Sequence, residues 1–129
     1  DSEGDVGAWP DFLVQEDTIH ITYQDKGNQQ LKYAKGTPGS WNISVVDASP
    51  YTGADTALYF KGSNPQVVYF EGRYNDMKLA KSEGDSWTTS VIASEGAVGF
   101  HNEIVTIAGQ LFVGCYNYTS RSVRFSPLD

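Results

Sequence analysis

Three side chains that could bind a ligand or move a proton recur at one interval in this sequence. Trp9, Asp55 and His101 are 46 residues apart, and each lies two residues after a glycine with the same spacing. A carboxylate next to an imidazole can support acid–base chemistry, and a large aromatic ring can stack on a sugar. The equal spacing predicts three equivalent loop positions, where the change of side chain reflects either specialisation or simple drift at an exposed site.

Further candidates lie in stretches rich in Gly, Asn, Asp and Pro, which are typical of turns. Aromatic rings suit the apolar face of a pyranose, while carboxylate, amide and guanidinium groups suit its hydroxyls, and shallow sites of this kind are common on loops of rigid scaffolds. The predicted ligand-binding residues are Trp9, Tyr51, Asp55, Arg73, Tyr74, His101, Asn102 and Tyr118. We assign no catalytic residue from the sequence.

Composition excludes several classes of function. The formal net charge is −7, with 16 acidic and 9 basic residues, which argues against binding of nucleic acid, where Lys and Arg must neutralise phosphates, and against an anionic membrane surface. No spacing of His and Cys fits zinc, and no glycine-rich turn precedes a helix to hold a phosphate. The sequence therefore predicts no metal, no cofactor, no nucleic acid and no membrane partner.

The elements that position these residues follow from an internal repeat. A shift of 46 residues aligns the chain with itself without a gap, giving repeats at about 1–46, 47–92 and 93–129 of a single domain. Repeats with a period in the forties and no helical periodicity are typical of β-propellers. Four short strand-like runs can be read in the first period: 11–15, 18–24, 30–35 and 41–47.

The predicted fold is all-β, with three antiparallel blades of a β-propeller. Each complete blade has four strands, and the third lacks its outer strand. Because propellers avoid open edges by closing the ring, we expect half of a six-bladed ring. A second copy, or remaining blades of the same polypeptide, would complete it. The candidate loops would then share one face around the central channel.

Several segments resemble the repeats of the sialidase family. Residues 82–87 read Ser-Glu-Gly-Asp-Ser-Trp and are similar to a shortened Asp-box, of which residues 36–41 are a weaker version. Residues 23–34 are similar to repeats of large exported bacterial proteins built from sialidase-like blades. In that family the box is structural and its Trp packs between strands, so the resemblance implies that Trp41 and Trp87 are core residues. It also implies an extracellular or cell-surface location.

Sialidase activity itself is not implied by the residues present. The family's chemistry needs an arginine cluster, a tyrosine with a glutamate partner and an acidic aspartate, whereas this chain has only Arg73, Arg121 and Arg124. The preferred interpretation is a lectin-like extracellular module, not an enzyme, that binds a glycan or a protein. The alternatives are part of a sialidase-like glycoside hydrolase and a structural repeat for assembly.

Two further expectations concern the interior. Cys115, the single cysteine, lies in an apolar run and is predicted to be a buried small hydrophobic residue. Lys32, Lys78 and Arg124 recur at the same position of the repeat. Their recurrence indicates a solvated strand edge or ion pairs between neighbouring units in preference to an anion site.

Overall fold

The computed structural model describes residues 1–128, which form strands and turns with no helix. β-Branched and aromatic residues dominate the strands, and Gly, Asn and Asp occupy the turns between them, as sheet propensity requires. The strands in chain order are β1 (Val6–Gln15), β2 (Thr18–Asp25), β3 (Gln30–Thr37), β4 (Ser40–Asp47), β5 (Thr52–Lys61), β6 (Asn64–Glu71), β7 (Asp76–Glu83), β8 (Ser86–Ala93), β9 (Val98–Ile107), β10 (Gln110–Asn117) and β11 (Ser122–Pro127).

These strands form three antiparallel sheets in which neighbours in sequence are neighbours in space. The first sheet is β1-β2-β3-β4, the second is β5-β6-β7-β8, and the third contains β9, β10 and β11. The all-β antiparallel prediction is confirmed, as are units of four, four and three strands. The first strand of each unit is longer than predicted, because β1 begins at Val6 and passes through two register shifts before Asp11. Such bulges read as loop in a sequence.

The core lies between the sheets in two apolar layers. Between the first and second sheets, β3 contributes Leu31 and Tyr33, which pack with Leu58, Val67 and Tyr69 of the second sheet. Between the second and third sheets a second layer is built from Ala57, Tyr59, Val68, Met77, Leu79, Ala93, Val98, Val113, Cys115 and Leu128. The prediction that Cys115 is buried is confirmed, since it is 4% exposed.

The prediction of two equivalent core tryptophans is only partly correct. Trp87 is half-buried and packs edge-on against Tyr33, with ring centroids 5.1 Å apart. Trp41 occupies the same position of the first repeat but is 41% exposed. The physical reason is that Trp87 faces the first sheet, whereas the corresponding face of the first sheet has no sheet packed on it among residues 1–128.

The last residue of β4, Asp47, is a buried carboxylate. One oxygen of Asp47, Oδ2, accepts hydrogen bonds from the Tyr69 hydroxyl and the Lys78 ammonium, each at 2.6 Å. Burial acts to raise the pKa of Asp47, but hydrogen bonds from Lys78, Ser49 and Tyr69 outweigh it and hold that pKa below its ordinary value. This contact ties the end of β4 to the middle of the next sheet.

No helix long and apolar enough to span a membrane occurs among residues 1–128.

Candidate functional site

Two kinds of turn meet at one end of the sheets. The segments that precede β5 and β9 contact the turns that follow β6 and β10 through backbone hydrogen bonds: the Gly72 amide donates to the Tyr51 carbonyl and the Tyr118 amide to the Ala97 carbonyl, both at 2.8 Å. A further bond, from the Thr52 amide to the Gln29 carbonyl at 3.1 Å, joins neighbouring sheets. We call the surface formed by residues 3–6, 26–29, 49–52, 72–75, 95–98 and 118–121 the loop face.

Trp9, Asp55 and His101 adopt the same unusual backbone conformation next to the loop face. Their φ angles are 53°, 50° and 53°, in the left-handed region that costs an L-residue about 1 kcal/mol or more. Each lies in the bulged part of the first strand of its sheet, where the register shifts. The three repeats therefore keep one strained backbone shape and change only the side chain that it presents.

Hydrogen bonds hold these three positions in a row across the sheets. The Thr56 hydroxyl donates to the Trp9 carbonyl at 2.7 Å, and the Asn102 amide donates to the Asp55 carbonyl at 2.8 Å. The same side-chain amide of Asn102, Nδ2, also donates to the Gly99 carbonyl at 2.9 Å, and this side chain is buried. The structure thus places Asn102 beneath the row, where it fixes the backbone of its neighbours.

Asp55 and His101 form the only ionisable pair of the row. His101 Nδ1 lies 3.7 Å from Asp55 Oδ1, and the exposed fractions of the two side chains are 78% and 9%. Burial raises the pKa of Asp55, and this rise is partly offset by the backbone amide and the charge of His101. The pair presents an exposed imidazole supported by a largely buried carboxylate, an arrangement that can donate or accept hydrogen bonds on a polar ligand.

An aromatic strip links the loop face to Phe100, the residue before His101 in β9. The rings of Phe70 and Phe100 are 4.3 Å apart, and Phe100 lies 6.2 Å from Tyr118 between ring centroids. At the other end of the strip Gly72 separates Tyr51 from Phe70: a Cβ built on it would lie 3.4 Å from Tyr51 Cβ and 3.5 Å from Phe70 Cε1. Tyr51 and Tyr118 are exposed. The strip is therefore Tyr51, Phe70, Phe100 and Tyr118.

The predicted binding residues fall into four groups. Trp9, Asp55 and His101 form the row, while Tyr51 and Tyr118 belong to the aromatic strip. Arg73 and Tyr74 are exposed in the turn after β6, where the guanidinium lies 5.4 Å from the tyrosine ring centroid. Asn102 is a buried support.

Phe70 and Phe100 are not among the binding residues predicted from the sequence. Phe70 and Tyr116 are both aromatic at equivalent positions of the second and third repeats. That recurrence indicates that the ends of β6 and β10 carry aromatic residues toward the loop face.

Among residues 1–128 no group of three or more His, Cys, Asp or Glu side chains is arranged to hold a metal ion. No family model matches this chain, and it has no match among curated proteins or solved structures. The resemblance to sialidase-like repeats therefore stays a prediction from the sequence.

Proposed function

We propose that the three sheets are consecutive blades of a sialidase-like β-propeller, half of a six-bladed ring, and that the protein is an extracellular module that binds a glycan through its loop face. The observation that carries the binding role is the aromatic strip, which includes Phe100, the residue before His101 of the Asp55–His101 pair. Sugar sites combine these same two elements, because rings cover the apolar face of a pyranose and polar groups meet its hydroxyls.

The two open faces support the ring. Leu58 is 4% exposed because it packs on the first sheet, whereas its equivalent Phe12 is 66% exposed. On the far side of the third sheet, Phe125 is 54% exposed, although its equivalent Leu79 is buried. The open face of the first sheet thus repeats one half of an internal interface, and that of the third sheet repeats the other half. Two copies joined head to tail in both directions would cover all four open faces.

Binding is favoured over glycoside hydrolysis because of the partner of Asp55. Hydrolases of the common type place two carboxyl groups about 5 to 9 Å apart across the scissile bond. Here the carboxylate pairs with an imidazole, His101. A purely structural repeat does not account for the row, in which strained backbone positions carry three different side chains, Trp9, Asp55 and His101.

The test is a printed glycan array followed by calorimetry with the best glycan. We expect the 129-residue chain to bind a subset of glycans, and Tyr118→Ala to weaken that binding about tenfold, as loss of a stacking ring predicts. His101→Gly removes the imidazole at a position where glycine fits the backbone without strain, and should also weaken binding. Val91→Ala, an exposed apolar residue of β8, is the matched control and should bind as the unchanged chain does.

Two results would contradict a glycan-binding loop face: binding to no glycan on the array, or affinities of Tyr118→Ala and His101→Gly equal to that of Val91→Ala. Binding of a protein in place of a glycan, lost in the same two variants, would keep the face and change its ligand.

A further inference from the structure

One contact is made in the first two repeats and is missing from the third. In the first repeat Asp1 Oδ2 accepts hydrogen bonds from Tyr23 at 2.8 Å and Lys32 at 2.9 Å. In the second, Asp47 accepts from the equivalent Tyr69 and Lys78. The repeat therefore includes a carboxylate that meets a phenol and a cation of the following sheet.

The third repeat keeps the cation and loses both partners. Ala93 replaces the aspartate, Cys115 replaces the tyrosine, and Arg124 replaces the lysine. Arg124 Nε is buried and has no hydrogen-bond partner among residues 1–128, in contrast to the ion pairs of Lys32 and Lys78. A buried N–H of a charged group left without an acceptor keeps the full desolvation penalty. A carboxylate paired with the guanidinium would offset that penalty.

A cavity next to Arg124 offers room for such a group. It has a volume of about 400 Å³ and lies between the second and third sheets, and this size is in the range of small-molecule sites. Two cations and two hydroxyls line it together with apolar residues: Arg124, Lys81, Ser90, Ser126, Leu79 and Ile92. Among residues 1–128 no acidic residue lines this cavity, although the chain as a whole is strongly acidic.

We propose that this cavity binds a carboxylate, which pairs with Arg124 as Asp1 and Asp47 pair with Lys32 and Lys78. The guanidinium of Arg124 is the primary ligand, because a hydrogen bond between a charged donor and a carboxylate is stronger than one between neutral groups. Lys81 adds a second cation, and Ser90 and Ser126 provide donors for further oxygens. The site is separate from the loop face, since β11 approaches the cavity through its last residues, 126–127. The carboxylate comes from a small organic acid or from an acidic side chain of a second copy.

The experiment is an NMR titration that observes the arginine Nε–H signals, of which this chain has three. D-Glucuronate is the probe, and D-glucose is the matched neutral sugar. We expect glucuronate to shift the Arg124 signal in a saturable manner and glucose to leave it unchanged. A shift that instead follows protein concentration, without added acid, would support the site with a carboxylate from a second copy.

Ala93→Asp is the decisive variant, because it restores the aspartate of the other two repeats. Its Arg124 signal should move without ligand, and glucuronate should bind at least about tenfold more weakly, since the guanidinium is already paired. If Ala93→Asp does not fold, Lys81→Gln replaces it as the test. Lys81→Gln should weaken glucuronate binding and leave the Arg124 signal of the free protein unchanged.

The proposal is overturned if neither glucuronate nor protein concentration moves the Arg124 signal. It is also overturned if Ala93→Asp, or Lys81→Gln in its place, binds glucuronate as well as the unchanged chain. The last variant is Asp129→Asn, at a residue that lies outside the described residues. If it shifts the Arg124 signal in the absence of any acid, the chain provides its own carboxylate and the proposal fails.

Discussion

Within residues 1–128 the second sheet is covered on both faces, whereas the first and third sheets are each covered on one. Equivalent positions show the consequence: Val67 is fully buried in the second sheet, while Ile21, its counterpart in the first, is only half-buried. All three repeats have apolar residues on both faces of their strands. The difference teaches that burial here depends on the neighbouring sheet, and that the two outer sheets each leave apolar side chains exposed on one face.

The largest effect should come from the buried carboxylate between the first two sheets. Asp47→Ala leaves Lys78 and the Tyr69 hydroxyl without their acceptor, and breaking a buried pair in this way costs about 3 to 5 kcal/mol. In the first repeat Lys32 contacts Asp1 at 2.9 Å and Asp25 at 3.4 Å. Asp1→Ala should therefore cost less, because Lys32 keeps Asp25 as a partner, as measured by urea unfolding of both variants.

Equal losses of unfolding free energy in Asp47→Ala and Asp1→Ala would show that the two carboxylates stabilise the fold equally. That result would remove the distinction between a covered and an open sheet.

Leu58 and Phe12 separate folding from assembly. Leu58→Ala removes a buried side chain from between two sheets and should lower the free energy of unfolding by about 3 kcal/mol. Phe12→Ala alters the open face of the first sheet, so it should leave the fold intact and weaken self-association. Urea unfolding and the mass of the particle in solution distinguish the two outcomes. A large loss of stability in Phe12→Ala, with the mass unchanged, would contradict this separation.

Acid should weaken the covered interface. Because the pKa of Asp47 is lower in the folded chain than in the unfolded one, the folded state binds fewer protons at this site. Its contribution to stability is complete above the ordinary pKa of an aspartate and is lost as the pH falls through the lowered value. Unfolding measured from pH 7 down to pH 2 should thus show a smaller dependence on pH in Asp47→Asn.

Asp55 provides a control of opposite sign. Its pKa is raised by burial, so protonation below that raised value favours the folded state. Asp55→Asn should steepen the loss of stability in acid, and a parallel response of the two variants would contradict the assignment.

The smallest effect is expected in the row. His101→Gly removes a side chain that is 78% exposed from a residue whose φ is 53°. Glycine adopts this conformation freely, and the relief of strain offsets its greater freedom in the unfolded chain. Thermal unfolding should therefore differ from that of the unchanged chain by less than about 1 kcal/mol. A loss of several kcal/mol would mean that the imidazole stabilises the fold.

The repeat allowed much of the fold to be predicted from the sequence. Strand order, the three-stranded third unit and the burial of Cys115 follow from the period and from apolar runs. The early start of β1 could not be predicted, because left-handed residues in a bulge read as loop. The exposure of Trp41 also escaped prediction, since a periodic sequence shows which face of a strand is apolar and not what covers it.

The candidate site could be predicted only in outline. The spacing of Trp9, Asp55 and His101 indicated equivalent positions, but the 3.7 Å separation of Asp55 and His101 depends on how successive sheets are placed. Asn102 was expected among the ligand-binding residues but lies buried beneath the row. Its side-chain amide donates to the backbone carbonyls of Asp55 and Gly99.

The mass of the folded particle in solution, measured by light scattering on a size-exclusion column, tests the central claim most directly. Two half-rings that cover one another's open faces predict a particle of twice the 14.2 kDa chain. Phe125→Asp, placed on the open face of the third sheet, should return that particle to a single chain. A folded, stable monomer of the unchanged sequence, with Phe12 and Phe125 both left in water, would contradict the closed ring.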